Sequence, residues 1–119
     1  MRVLLVDDNV MNVELFTDVL EADGHEVVTE RDGVSGRDRA LAERFDMLIL
    51  DIQMPRLDGH SVCRELRSKG ITVPILALTS SAMPDQVARG GESGFDAYLT
   101  KPISPAALRA AVRERGTAA

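Results

Sequence analysis

Four short apolar runs, rich in Val, Ile and Leu, punctuate the chain: residues 3–6, 47–50 with Ile52, 75–78, and a mixed stretch at 95–99. None is long enough for a helix. Unbroken apolarity of this kind marks strands buried on both faces, as in a parallel sheet. A weaker strand is expected at 26–29, after Gly24. Helical spacings lie between the runs. Asn9 can cap a helix with Val13, Phe16, Val19 and Leu20 on one face and a stop at Gly24. Val34, Leu41 and Phe45 mark a second helix after Gly33, and Asp58 caps a third that carries Val62 and Leu66 and stops at Gly70. Another starts near Pro84 and fails at Gly90 and Gly91, and the last opens at Ser104–Pro105 with Leu108 and Val112 facing inward. Each glycine costs a helix interior about 1 kcal/mol against alanine, so the helix near Pro84 is expected to be short and the least stable. Five β-α units with short connections predict one doubly wound α/β sheet.

The length, 119 residues, suits one domain, expected over residues 1–116 with a frayed tail at 117–119. No apolar run exceeds four residues, which speaks against a membrane span or a signal peptide. A single cysteine, Cys63, cannot form an internal disulfide and suits the cytoplasm. The net charge of −5 gives no global reason to expect nucleic-acid binding. Charge is unevenly spread: nine acidic residues and one basic residue lie between Asp7 and Asp32, and the balance reverses from Lys101 onward. Most of these residues read as solvated helix faces.

Asp7 and Asp8 need a separate argument. In a doubly wound sheet, ligands bind at the carboxyl ends of the strands. The first strand ends in Asp7 and Asp8, the third runs into Asp51, the next ends in Thr79, and the last ends in Thr100, Lys101 and Pro102. Two carboxylates about 4 Å apart repel by roughly 4 kcal/mol at an effective dielectric near 20. Three together must raise a pKa, recruit cations, or both, and one ammonium does not balance them. A hard divalent cation such as Mg²⁺, which takes carboxylate oxygens and keeps waters, does.

These residues carry a resemblance. Val3-Leu4-Leu5-Val6-Asp7-Asp8-Asn9, Leu48-Ile49-Leu50-Asp51-Ile52-Gln53-Met54-Pro55 with Asp58-Gly59, Leu78-Thr79, and Ala97-Tyr98-Leu99-Thr100-Lys101-Pro102 together resemble the response-regulator receiver domain of two-component signalling, across nearly the whole chain. The opening Asp-Asp-Asn-Val-Met-Asn, with no further domain in this length, is similar to single-domain receivers of the cell-cycle and phosphorelay type. The resemblance implies a flavodoxin-like fold with strand order 2-1-3-4-5 and no output domain. It implies that Asp51 is the phosphoacceptor, attacking a phosphohistidine in line. Asp8 and Asp51 with the backbone carbonyl of Gln53 would bind Mg²⁺, and Asp7 would act through bound water. Lys101 would pair with Asp51 and then with the phosphoryl group, and Thr79 would donate its hydroxyl to it. Phosphoryl transfer needs positioning and charge neutralisation above all, which this set supplies.

The resemblance further implies a switch in which Thr79 moves inward as Tyr98 rotates. It implies a sensor histidine kinase or histidine phosphotransfer protein as donor, docking on Asn12, Leu15, Pro102 and Ile103; with the length used by one receiver, the expected output is a downstream protein target, and the charge and the short apolar runs speak against nucleic acid and membrane as direct partners. The protein would be a signalling switch that catalyses its own phosphorylation and slow dephosphorylation rather than the turnover of a metabolite. Two departures stand out: Ser80 follows Thr79 where the family usually has Ala or Gly, and Gly36 replaces a commonly packed alanine, which is expected to weaken its helix slightly; Gln53 and Ser81 lie where side chains often tune access of the hydrolytic water.

Rival readings are a receiver cut from a larger response regulator or hybrid histidine kinase, a Mg²⁺-dependent phosphohydrolase, and a pseudo-receiver. The phosphohydrolase would want Asp-x-Asp, and Asp51-x-Gln53 lacks the second carboxylate. Intact Asp51, Thr79 and Lys101 argue against a pseudo-receiver. His25 reads as a solvated turn residue, His60 as a helix-start residue without a metal-ligand partner, and Met47, Met54 and Met83 as packing.

Overall fold

The computed structural model describes residues 1–54, 57–79, 94–101 and 103–116. The apolar runs form strands as their composition requires: β1 (Arg2–Val6), β3 (Met47–Asp51) and β4 (Ile75–Thr79), joined by β2 (Glu26–Glu30) and β5 (Ala97–Thr100). All pair in parallel in the order β2-β1-β3-β4-β5, so the sheet is the expected flavodoxin-like one. Strands β3 and β4, inside the sheet, are buried along their whole length, and β2, at one edge, is partly exposed.

Among the described residues four helices cover the faces: α1 (Val10–Ala22), α2 (Gly33–Ala42), α3 (Gly59–Ser68) and α4 (Pro105–Gly116). Their starts are chemical. The side chains of Asn9, Asp32 and Asp58 accept the N–H of Asn12, Ser35 and Ser61, and Ser104 Oγ accepts that of Ala107. Past α1 and α3 the chain turns at Gly24 and Gly70, both at φ 90, where a side chain would be strained. One core lies between the sheet and α1 and α4, built on Val3, Leu5, Phe16, Leu20, Ile49, Leu76, Leu108 and Val112. The other, on the opposite face, joins Leu4, Val6, Leu48, Leu50, Val62, Cys63 and Leu66. Among the described residues no helix is long and apolar enough to cross a membrane.

Several expectations need correction. Phe45 is buried, but it lies beyond the end of α2, and Leu41 points outward at 40% exposure. Gly33, Gly36 and Ala40 make the buried side of that helix instead. Gly36 lies tight against the sheet: a Cβ there would lie 2.7 Å from Val6 Cγ2, so the glycine that costs the helix propensity allows close contact with β1. Phe95 is buried just before β5, not within it. His25 is no solvated turn residue, for its side chain is only 12% exposed. Its Nδ1 lies 3.2 Å from the Met1 amine, and burial lowers its pKa. Met47 belongs to the first core and Met54 packs against the second, so both serve packing as expected. The helix expected near Pro84, the positions Pro55, Ser80, Ser81, Met83 and Pro102, and the tail at 117–119 lie outside the described residues.

Candidate functional site

Four of the five strand ends, those of β1, β3, β4 and β5, bring polar side chains to the same rim of the sheet. Asp7 follows β1, and its N–H prolongs the β1–β2 ladder by donating to the Glu30 carbonyl at 3.1 Å. That pairing turns its carboxylate into the fold, where it is fully buried, while Asp8 beside it is exposed. Asp51 closes β3 and Thr79 closes β4, both almost completely buried. Lys101 follows β5, and its N–H holds the Thr79 carbonyl at 2.7 Å, so the two strand tips advance together.

Lys101 Nζ donates to Asp51 Oδ2 at 2.9 Å and lies 3.2 Å from Asp7 Oδ2, the latter without hydrogen-bond alignment. The other carboxylate oxygens meet backbone: Asn9 N–H donates to Asp7 Oδ1 at 2.9 Å, and Gln53 N–H to Asp51 Oδ1 at 3.0 Å. Burial pushes the Asp51 carboxyl up to about 6, against the Lys101 and Gln53 donors that pull it down. Burial also works to lower the Lys101 pKa, but the Asp51 and Asp7 carboxylates outweigh it and hold the ammonium above its ordinary value.

Among the described residues the electrostatic balance is unfinished. Oxygens of Asp7, Asp8 and Asp51 all lie within 4.8 Å of one another, facing a single ammonium. Asp7 Oδ2 is buried and lacks a hydrogen-bond donor among the described residues. A hard divalent cation fits this donor set: oxygen ligands only, two of the three residues held rigidly, and Asp8 open to water.

The other residues singled out fall at different distances from this cluster. The Gln53 side chain is exposed while its N–H serves Asp51. Tyr98 is half-buried on β5, edge-on to Phe95 with ring centres 6.0 Å apart. On α1, Leu15 is 45% exposed and so is not core, and Asn12 is half-buried next to the Asn9 cap. Ile103 packs in part against the core on the α1 side.

Reasoning from sequence missed two contributors. Gly59 starts α3 so close to the Asp51 turn that a Cβ would lie 2.5 Å from the Asp51 carbonyl oxygen, and its N–H donates to the Ile52 carbonyl at 3.0 Å. The Asp58-Gly59 pair was visible, but nothing local says which backbone the glycine meets. Arg67 is the second: its guanidinium spends its five N–H groups on the carbonyls of Gly94, Ile71 and Val73 and on Asp96. No periodicity distinguishes it from a solvated helix charge.

A model of the response regulator receiver domain matches residues 3–113. The chain is 42% identical over 113 residues, 95% of its length, to the response regulator MprA of Mycobacterium avium, of which it covers 50%. It thus spans about half the length of the curated relatives it matches. The chemotaxis protein CheY4 of Vibrio cholerae superposes with a TM-score of 0.92 at 30% identity, over 96% of this chain and 97% of that one. The receiver domain of the sensor histidine kinase PA1611 from Pseudomonas aeruginosa, which has a magnesium ion coordinated in its active-site cleft, gives 0.90 at 32% identity over 98% of this chain and 97% of that one.

Proposed function

The chain belongs to the response regulator receiver family, and from that premise we propose that it accepts a phosphoryl group from a phosphohistidine donor onto Asp51 and signals through protein contacts that depend on it. The observation that carries this reading is the unbalanced rim, with buried Asp7 and Asp51 sharing one ammonium and Asp7 Oδ2 left without a donor among the described residues.

In the reaction an Asp51 carboxylate oxygen forms a bond to phosphorus as the nitrogen–phosphorus bond of the donor breaks, and the imidazole leaves with the bonding electron pair. Ionised Asp51 is the nucleophile, so the ammonium 2.9 Å away both favours the anion and aligns it. Once one oxygen is esterified, Lys101 is placed to follow the charge onto a phosphoryl oxygen. Thr79, at the neighbouring strand tip, donates its hydroxyl to another. Each charge-assisted hydrogen bond contributes roughly 1.5–3 kcal/mol. Two of them approach the roughly 5.5 kcal/mol that moves a two-state population from 1:99 to 99:1.

Magnesium would be held by Asp8, Asp51 and the Gln53 carbonyl, with Asp7 acting through water. It would supply charge neutralisation at the transferring group. Tyr98 is the side chain that rotates as Thr79 is drawn inward. Leu15 and Asn12 on α1, with Ile103 after β5, offer the surface for a sensor histidine kinase or histidine phosphotransfer protein, Pro102 being the neighbouring candidate in sequence, and a downstream protein reads the switched face. Buried Cys63, with its thiol pKa pushed up to about 11 by burial, suits a reducing cytoplasmic setting.

The test is uptake of beryllofluoride, or of phosphate from a small phosphodonor, in the presence of Mg²⁺. Wild type should take up one equivalent and Asp51→Ala none. Uptake that survives loss of Asp51 would show the acceptor to be elsewhere.

A further inference from the structure

Tyr98 does not stand alone. Its ring meets Phe95 edge-on at 6.0 Å between centres and 62° between planes, and Phe95 meets His60 at 5.7 Å and 76°. His60, on the first turn of α3, is 6% exposed and Phe95 is 8% exposed, so the middle ring is backed by a packed one. Phe95 is also pinned through its chain neighbours. Arg67 Nε and Nη2 both donate to the Gly94 carbonyl, at 3.1 and 3.0 Å, and Nη2 donates to Asp96 Oδ2 at 2.8 Å. The remaining guanidinium N–H groups hold the Ile71 and Val73 carbonyls, and Asp96 Oδ2 also accepts the Ile75 N–H at 2.8 Å. The residues on both sides of Phe95 are thus fixed to the chain leading from α3 into β4.

We infer that Phe95, clamped by Arg67 and backed by His60, is a fixed stop that selects the resting orientation of the Tyr98 ring, making Phe95 and Arg67 positioning residues of the switch. This rests on the reading of Tyr98 given above. A ring that turns away from Phe95 gives up the edge-to-face contact, which therefore favours the orientation described. Removing it shifts the population toward the rotated ring. By linkage, a ligand that binds only the rotated form, while that form is the minor one, then binds more tightly by the same factor.

Phe95→Leu conserves bulk while abolishing the ring edge. Arg67→Lys keeps the charge and loses the fork. Tyr98 is the only tyrosine, so its side-chain couplings and ring signals in tyrosine-labelled protein report one residue. In the unmodified protein, Phe95→Leu should shift the Tyr98 rotamer ratio about two- to tenfold toward the rotated form and strengthen Mg²⁺-dependent beryllofluoride binding by the same factor. Arg67→Lys should act in the same direction, and the double variant should go no further than Phe95→Leu alone, because both work through one ring. A merely structural role predicts lower thermal stability with weaker or unchanged beryllofluoride binding. That outcome, or an unchanged rotamer ratio in both single variants, overturns the inference. If the rotamer ratio shifts while wild type takes up no beryllofluoride, the stop stands and the phosphoacceptor reading falls.

Discussion

Asp51→Asn is expected to end phosphoryl uptake and, in the absence of divalent cations, to make the protein more stable. Both follow from one fact. Burial lifts the Asp51 carboxyl from 3.8 to about 6 despite the Lys101 ammonium, so the folded state resists the ionised form that the reaction requires. The carboxamide keeps an oxygen to accept the Lys101 N–H and removes one of the crowded charges. At about 1.4 kcal/mol per pKa unit the full shift would correspond to roughly 3 kcal/mol. The rim is open to solvent at Asp8, so screening brings the expected gain to about 1–2 kcal/mol, a rise in Tm of several degrees for a domain of this size.

The direction of the pH dependence follows from the raised carboxyl. Between its unfolded and folded pKa values such a group binds more protons folded than unfolded, so wild type loses stability as pH rises from about 4 to about 6, with no further loss above. The carboxamide of the Asp51→Asn variant has no proton to lose. The difference between variant and wild type should therefore open across that window and stay constant above it. Lowered carboxyl pKa values at Asp23 beside Arg113 and at Glu43 between Arg2 and Arg39 act in the opposite sense in both proteins, and cancel in the difference. Mg²⁺ should reverse the ranking: a ligand at a hundredfold excess over its Kd adds about 2.7 kcal/mol, to wild type only. Thermal melts of the two proteins across pH, with EDTA and with Mg²⁺, check all three statements. A variant that melts below wild type in EDTA at pH 7.5 would mean that the Lys101 pair outweighs the burial of Asp51.

What could be read in advance follows from how each feature is encoded. Strands β1, β3 and β4 are legible because a strand buried on both faces must be continuously apolar, and the caps at Asn9, Asp58 and Ser104 because a side-chain acceptor at a helix start is a local requirement. Asp7, Asp51, Thr79 and Lys101 are legible as a cluster because parallel strands deliver their carboxyl ends to one rim. The inward face of α2 is not. It meets the sheet with Gly33, Gly36 and Ala40, and small residues leave no hydrophobic period, so apolar spacing points Leu41 inward while the fold turns it outward. His25 escapes for a long-range reason, the return of the chain beside Met1. Arg67 escapes because a helix charge normally belongs to water, and two of its partners, the Gly94 carbonyl and Asp96, reach it only through the tertiary fold.

Gly59→Ala should couple fold and site in one substitution. The added methyl would lie 2.5 Å from the Asp51 carbonyl oxygen, 2.9 Å from Ile52 Cα and 3.1 Å from the Asp51 carbonyl carbon. All three are backbone atoms of the turn that carries the acceptor, so no side chain can swing aside. Either the start of α3 or the Asp51 turn must move. Gly36→Ala is the control. The atoms its methyl would meet first belong to the side chain of Val6, with the two Val6 methyl groups at 2.7 and 2.9 Å, and alanine regains about 1 kcal/mol of helix propensity in mid-helix. Overpacking typically costs about 1–3 kcal/mol, so Gly59→Ala should lie at or above the upper end and Gly36→Ala, after the gain in propensity, at about 0–2 kcal/mol. The functional split should be wider. Moving the Asp51 main chain misaligns the nucleophile against Lys101, and an ångström of misplacement can slow a reaction about 100-fold. Rates of Mg²⁺-dependent phosphoryl uptake should therefore fall steeply in Gly59→Ala at temperatures well below its Tm and stay close to wild type in Gly36→Ala. Equal rates in the two folded variants would mean that α3 does not brace the phosphoacceptor turn.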